Sequence, residues 1–307
     1  MSELQSTISD YLKFCKFQKR LDFKTLKSYR IDLSQFEQYQ IKHISKYTDP
    51  HLIENYISSL HQIYKPKTVK RKIASLKAFF HFLEYKDIIM VNPFSKLQVK
   101  FREPLILPKT IPLHTIETFL SSIYKQKDLA TTPFQKKCII RDIAVIELLF
   151  ATGMRVSELC SLKLCNIDFI EKTVLIYGKG SKERRIQIGN DDVIFALKKY
   201  HTNFKAELTD SKYFFVNRLR NRLSEQSVRN MINKYTLLTA IPLHITPHMF
   251  RHSFATFLLE EDVDIRYIQE MLGHSSINVT EIYTHVTLAK QKNILTNKHP
   301  RNSFNFK

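Results

Sequence analysis

Glycine is scarce in this 307-residue chain: there are five, at 153, 178, 180, 189 and 273, and none earlier. The first half therefore lacks the one residue that enters left-handed backbone without steric cost, which suits helices joined by simple turns. Cysteine is sparse too. Cys15 stands alone, Cys138 is remote from the others, and Cys160 and Cys165 are spaced too widely for a CxxC hook. With no second pair a structural zinc is not expected, and the four read as buried, reduced thiols. No GxxxxGK[ST] loop is present, because GKGSK at 178–182 has the residue types without the spacing, so nothing points to ATP. No apolar run reaches the roughly 18 residues of a spanning helix. The most apolar stretch, CIIRDIAVIELLF, is broken by Arg141, Asp142 and Glu147. The opening MSELQSTISDYLK lacks the charged-then-apolar order of a secretion signal, so a cytoplasmic location is expected. The last deficit is acid: 29 Asp and Glu face 48 Lys and Arg, a net charge of +19. Residues 1–100 hold 18 basic and 9 acidic side chains and the remainder 30 and 20, so the excess is not confined to one tail. Such a field favours a polyanion, most commonly nucleic acid, with an anionic membrane surface as the competitor.

What is present is mainly helical periodicity. Leu4, Ile8, Leu12 and Cys15 form one apolar stripe, and Leu26, Tyr29, Leu33 and Phe36 a second. Ile53, Tyr56, Ile57 and Leu60 form a third, and Val69, Ile73, Leu76, Phe79, Phe80 and Leu83 a fourth. Asp49-Pro50 and Lys65-Pro66 punctuate them, giving a four-helix unit over residues 1–100. Four prolines in 92–112 and no stripe predict a linker at 101–112. The rest, 113–307, reads as mostly helical with one hairpin, where Val174 and Ile176, then Ile186 and Ile188, alternate about Gly-Lys-Gly. The fold class expected is thus mainly α, in two domains, with a small antiparallel sheet in the second.

The candidate chemistry lies in four short segments of the second half. ATGMRVSEL places Arg155 after a glycine turn and Glu158 at i+3, a spacing that lets a carboxylate hold a guanidinium in one rotamer. A helix cap followed by a surface ion pair is the plainer account. GKGSKERR puts Lys179 at a hairpin tip, where a solvated basic turn is the plainer account. TPHMFRHSFAT sets His248 and Arg251 on one helix face, with Thr246 and Pro247 as cap and first-turn residues. His248 and His252 also have i,i+4 metal-ligand spacing, but no acidic or cysteine partner is near. LGHSSINVTEIYTHV holds His274 and Tyr283, and a tyrosine at helical spacing is ordinarily core. As a nucleophile a phenol of pKa about 10 needs help, since only about one molecule in a thousand is ionised at neutral pH, a deficit of about 4 kcal/mol. Attack on a phosphodiester would need planar cations for the non-bridging oxygens and an acid for the leaving alkoxide.

Taken in order, TGMRVSEL, GKGSKERR, TPHMFRHSFATFLL and LGHSSINVTEIYTHV resemble the tyrosine recombinase (phage integrase) family, its Xer-type members in particular. The helical first half, with TLKSYRIDLSQF and TVKRKIASLKAFFHFL, is similar to that family's core-binding domain, which leaves 113–307 as the catalytic domain with its tail. The resemblance implies that Arg155 and Arg251 clamp the scissile phosphate, that His274 adds a hydrogen bond, and that Lys179 protonates the departing 5′-hydroxyl. His248 takes or shares the proton of Tyr283, which becomes a covalent 3′-phosphotyrosine, and Glu158 supports. Neither metal nor nucleotide cofactor is implied. Expected partners are double-stranded DNA carrying a recombination site and further protomers, a homo- or hetero-tetramer coupled through the 24 residues after Tyr283. The exposed face of Lys67, Lys70, Arg71 and Lys77 is the expected DNA contact in the first domain, against a merely solvated lysine face. Chromosome- or plasmid-dimer resolution and integration of a mobile element both fit. Type IB topoisomerase-like relaxation and a catalytically silent DNA-binding protein are the alternatives.

Overall fold

The computed structural model describes residues 3–97, 109–178 and 183–273. The chain divides into two compact units, Met1–Leu105 and Ile106–Lys307. Unit 1 consists of α1 (Glu3–Phe17), α2 (Phe23–His43), α3 (Pro50–Ile63) and α4 (Pro66–Tyr85), followed by a 3-10 turn at Pro93–Lys96. The local chemistry marks the starts of α2, α3 and α4. Asp22 and Asp49 accept hydrogen bonds from the Thr25 and His51 backbone N–H groups, and Pro50 and Pro66 open their helices where a missing N–H costs nothing. The third and fourth stripes are buried throughout, meeting Phe36 and Leu33 in a core rich in aromatic rings. In the first two stripes Leu12, Leu26 and Tyr29 are only partly buried, and Tyr11 fills the centre instead.

The core of unit 1 also holds a charge. Asp32, fully buried on α2, accepts from Lys72 Nζ at 3.0 Å, from Ser75 Oγ at 2.8 Å and from Arg71. Lys72 is itself buried and also bonds Gln35. A buried ion is tolerated only when its remaining lone pairs are matched, and here three α4 side chains match them. The simple turns expected from the absence of glycine are not what the chain uses. Arg20, Ile44 and Asp87 take left-handed backbone at φ 49°, 50° and 54°. Ile44 is the costly one, a β-branched residue capping α2 with its side chain 92% exposed, so the turn is imposed by the helices it joins and not by its own preference.

Unit 2 contains α5 (Leu113–Leu129), α6 (Pro133–Thr152), α7 (Val156–Ser161), a 3-10 turn at Leu164–Asn166, and strands β1 (Ile167–Asp168), β2 (Thr173–Tyr177) and β3 (Glu183–Gln187). Then follow α8 (Asp191–Asn203), α9 (Lys205–Leu208), α10 (Glu225–Leu238), α11 (Pro247–Glu260) and α12 (Ile265–Leu272). The sheet runs β1-β2-β3, all antiparallel, with Val174 opposite Ile186 and Ile176 opposite Arg184. Central α6 packs against α5, α8 and α11. Its charges, which broke the apolar run, are all partnered. Asp142 accepts from Arg141 and from Tyr235 Oη at 2.9 Å, and Glu147 accepts from Tyr124 Oη at 2.7 Å.

Ile111, placed by its prolines in the linker, is fully buried in this unit, and its N–H donates to Ser253 Oγ at 2.7 Å. The cysteines do not share one fate. Cys15 and Cys160 are buried, Cys138 is intermediate, and Cys165 is exposed. Among the described residues no helix is long and apolar enough to cross a membrane, and no group of three or more His, Cys, Asp or Glu could hold a metal.

Candidate active site

The geometry begins at the end of α6. Thr152 is followed by Gly153, whose left-handed backbone (φ 57°) closes the helix with its N–H on Leu149 O at 3.0 Å. The chain then reverses through buried Met154 into Arg155, the residue that caps α7. Glu158 is the third residue of α7. One of its oxygens accepts from the Arg155 backbone N–H and the other from Arg155 Nη1, both at 2.8 Å. The i,i+3 pairing expected from the sequence is therefore present, but it is no surface pair. The Glu158 side chain is 5% exposed, while that of Arg155 is 34% exposed and reaches solvent.

Arg251 lies one turn into α11, whose start is set by the extended backbone of Thr246 and by Pro247. It is 4% exposed, and it donates through Nη1 to Gly153 O at 2.9 Å and through Nη2 to Leu272 O at 2.7 Å. The same short turn therefore carries Arg155 and supplies a carbonyl that orients Arg251. His248, three residues before Arg251, is accessible to solvent. Desolvation of its ring, then the charges of Arg251, Arg229 and Arg155, hold its pKa below the usual imidazole value, against a smaller opposing pull from Glu225. The lowered pKa favours the neutral ring, the form that can accept a proton. His252 is pushed down to about 4 by burial, with His248 and Arg251 adding to it.

Glu158 takes a further load. Arg184 on β3 donates Nη1 and Nη2 to its two oxygens at 3.0 and 2.6 Å, and Nε to Met271 O at 2.7 Å. Burial pulls the Glu158 carboxyl up, but the Arg184 guanidinium and then the Arg155 donors outweigh it and hold the pKa below the usual carboxylate range. Neither Arg184 nor Arg229 was among the candidates from sequence. For Arg184 the signal was there: it has the parity of Ile186 on β3 and of Ile188 just after the strand, so the alternation that marks those two as inward marks Arg184 as well. Arg229, ion-paired to Glu225 at 3.2 Å on α10, had no such mark.

Of the candidates, Arg155, Glu158, His248 and Arg251 are brought together around Gly153. Lys179, His274 and Tyr283 lie outside the described residues; in the chain Lys179 falls between β2 and β3, and His274 follows Gly273. In unit 1, Lys67, Lys70, Arg71 and Lys77 share the exposed side of α4. Arg71 is engaged with Asp32, and Lys77 Nζ lies 5.7 Å from the Phe94 ring centre.

Comparison with known proteins adds independent findings. The phage integrase family matches residues 122–290, and the phage integrase N-terminal SAM-like domain matches residues 8–86. A tyrosine recombinase of Agathobacter rectalis is 59% identical over all of both chains. Tyrosine recombinase XerD of Listeria monocytogenes is 34% identical over 97% of this chain and 100% of the relative, and tyrosine recombinase XerC of Oceanobacillus iheyensis is 33% identical over 98% of each. Among solved structures, XerH site-specific recombinase bound to palindromic difH substrate shares the fold, with a TM-score of 0.76 at 22% identity over 95% of this chain and 84% of that one.

Proposed function

The chain belongs to the phage integrase family and is a Xer-type tyrosine recombinase, and from that premise we propose how its residues cut and rejoin DNA at a specific site. The supporting observation is the Gly153 turn, round which two guanidinium groups are anchored from different helices with the His248 imidazole, its pKa lowered, beside them. Tyr283 Oη attacks the scissile phosphorus and the bond to the 5′-oxygen breaks. His248 accepts the phenol proton, and Lys179 delivers a proton to the departing 5′-oxygen. Arg155 and Arg251 meet the charge that grows on the non-bridging oxygens, and His274 donates to the same oxygens. The product is a 3′-phosphotyrosine and a free 5′-hydroxyl. A 5′-hydroxyl from a second duplex then attacks that phosphorus and releases the phenol, so one ester replaces another and no nucleotide need be hydrolysed.

Double-stranded DNA is accordingly the partner, and four protomers assemble on paired sites with the segment after Tyr283 coupling neighbours. On unit 1, Lys67, Lys70, Arg71 and Lys77 offer phosphate contacts from the exposed side of α4.

Covalent capture tests this reading. Wild-type protein incubated with a random-sequence duplex pool is expected to give SDS-resistant protein–DNA adducts that converge on one sequence. Tyr283→Phe is expected to shift that duplex in a gel and to trap none of it, with binding by both proteins weakening steeply as salt rises. An adduct from Tyr283→Phe overturns the assignment. Relaxation of a supercoiled plasmid lacking the captured sequence would instead favour topoisomerase-like action.

A further inference from the structure

We propose that Arg184 is a positioning residue that holds three segments of the site in register: the Arg155 turn, the strands flanking Lys179, and the end of α12 that leads into His274. The inference rests on the roles proposed above for those three residues.

Its side chain is 8% exposed, and its bonds at Nε, Nη1 and Nη2 all go to protein. Bridging a carboxylate and a helix-end carbonyl, the guanidinium fixes what it touches. Its first partner is Glu158, gripped through both oxygens in the two-pronged geometry that only arginine offers. Those same two oxygens hold the Arg155 backbone N–H and Arg155 Nη1. One carboxylate thus serves two arginines, and the direction in which Arg155 points depends on where Arg184 holds Glu158. Arg184 also keeps that carboxylate ionised against its burial.

The second partner is the end of α12. The last two carbonyls of that helix are each taken by an arginine from another element, Met271 O by Arg184 and Leu272 O by Arg251. Next comes Gly273, with left-handed backbone (φ 65°) and Arg184 packed where a side chain would stand: a Cβ there would lie 3.0 Å from Arg184 Nη1 and 3.1 Å from its Cδ. Arg184 therefore sets the position and heading of the chain one residue before His274. Because it sits on β3, opposite Ile176 of β2, it ties those two strands to the same frame. Lysine carries the charge but presents a single ammonium, which cannot span Glu158 and Met271 together.

The experiment uses the full-length protein and the duplex that the wild type captures covalently from the random pool. Single-turnover adduct formation is followed at saturating protein, and DNA affinity by gel shift. Arg184→Gln is expected to slow adduct formation about 100-fold, the scale of a small misplacement of reacting groups, while DNA affinity stays within about threefold. Arg184→Lys is expected to fall between the two. The Arg184→Gln/Glu158→Gln double variant is expected to be no slower than the worse single, because both changes cut one link. A wild-type rate for Arg184→Gln, multiplying losses in the double variant, or recovery of the rate on cooling to where the variant is fully folded would each overturn the proposal. Where Arg184→Gln does not fold, Arg184→Lys is judged by the same criteria. Arg155→Ala is the separating control: a wild-type rate there defeats the proposed roles of the site itself, whatever Arg184 does.

Discussion

Gly153 offers the sharpest test of the local geometry, because one methyl group is enough. Its backbone lies at φ 57°, where an L side chain costs about 1–2 kcal/mol. A Cβ built there would stand 2.6 Å from Phe254 Cδ1, 2.9 Å from Phe254 Cγ and 3.1 Å from Leu272 Cδ2. Those contacts are too short to keep, and forcing apart a packed ring adds about 1–3 kcal/mol. Gly153→Ala is therefore expected to lose about 2–5 kcal/mol, which for a unit of this size lowers Tm by roughly 5–15 °C. Gly189→Ala is the matched control, with nothing within 4 Å of its Cβ, and is expected to stay within about 0.5 kcal/mol of wild type. Thermal melts by circular dichroism measure both. The cost also reaches the site, since Gly153 O accepts from Arg251 Nη1, and Leu272, pressed by the new methyl, supplies the carbonyl to Arg251 Nη2. Adduct formation at a temperature where the variant is folded is therefore expected to fall while DNA binding holds. If Gly153→Ala melts within about 2 °C of wild type, the turn is not as tight as argued and the reasoning fails.

Two further outcomes are expected. Asp32→Ala should destabilise unit 1 by about 3–5 kcal/mol, because it strands the buried Lys72 ammonium, and Asp32→Leu with Lys72→Met should recover most of that; urea melts of the three proteins decide, and an Asp32→Ala loss below about 1 kcal/mol refutes it. His252 titrates near 6.5 when unfolded and near 4 when folded, so the unfolded state binds the extra proton in between. Its contribution is whole above pH 6.5 and is lost as pH falls towards 4, at about 1.4 kcal/mol per pH unit and about 3 kcal/mol at most. His252→Gln should flatten stability against pH in that window, and an unchanged slope refutes the burial argument.

What could be read from sequence, and what could not, divides by how far the physics reaches along the chain. Apolar periodicity is local, and the Ile53–Leu60 and Val69–Leu83 stripes lie buried as expected. Asp32 escaped such a reading because a lone acid in an apolar face has meaning only beside Lys72 and Ser75, forty residues or more away. Ile44 escaped for the opposite reason: nothing about isoleucine favours left-handed backbone, and the turn between α2 and α3 overrides the preference. The Arg155–Glu158 pair shows the two kinds of reading meeting. Its spacing allowed both a surface ion pair after a helix cap and a built site. Gly153 does cap α6, and the pair does form. What separates the readings is Arg184, whose place on the inward face of β3 buries a second guanidinium against the same carboxylate. A buried acid shared by two arginines is a costly way to hold a surface helix together. It makes sense where the direction of the more exposed arginine, Arg155, is what the fold has to guarantee.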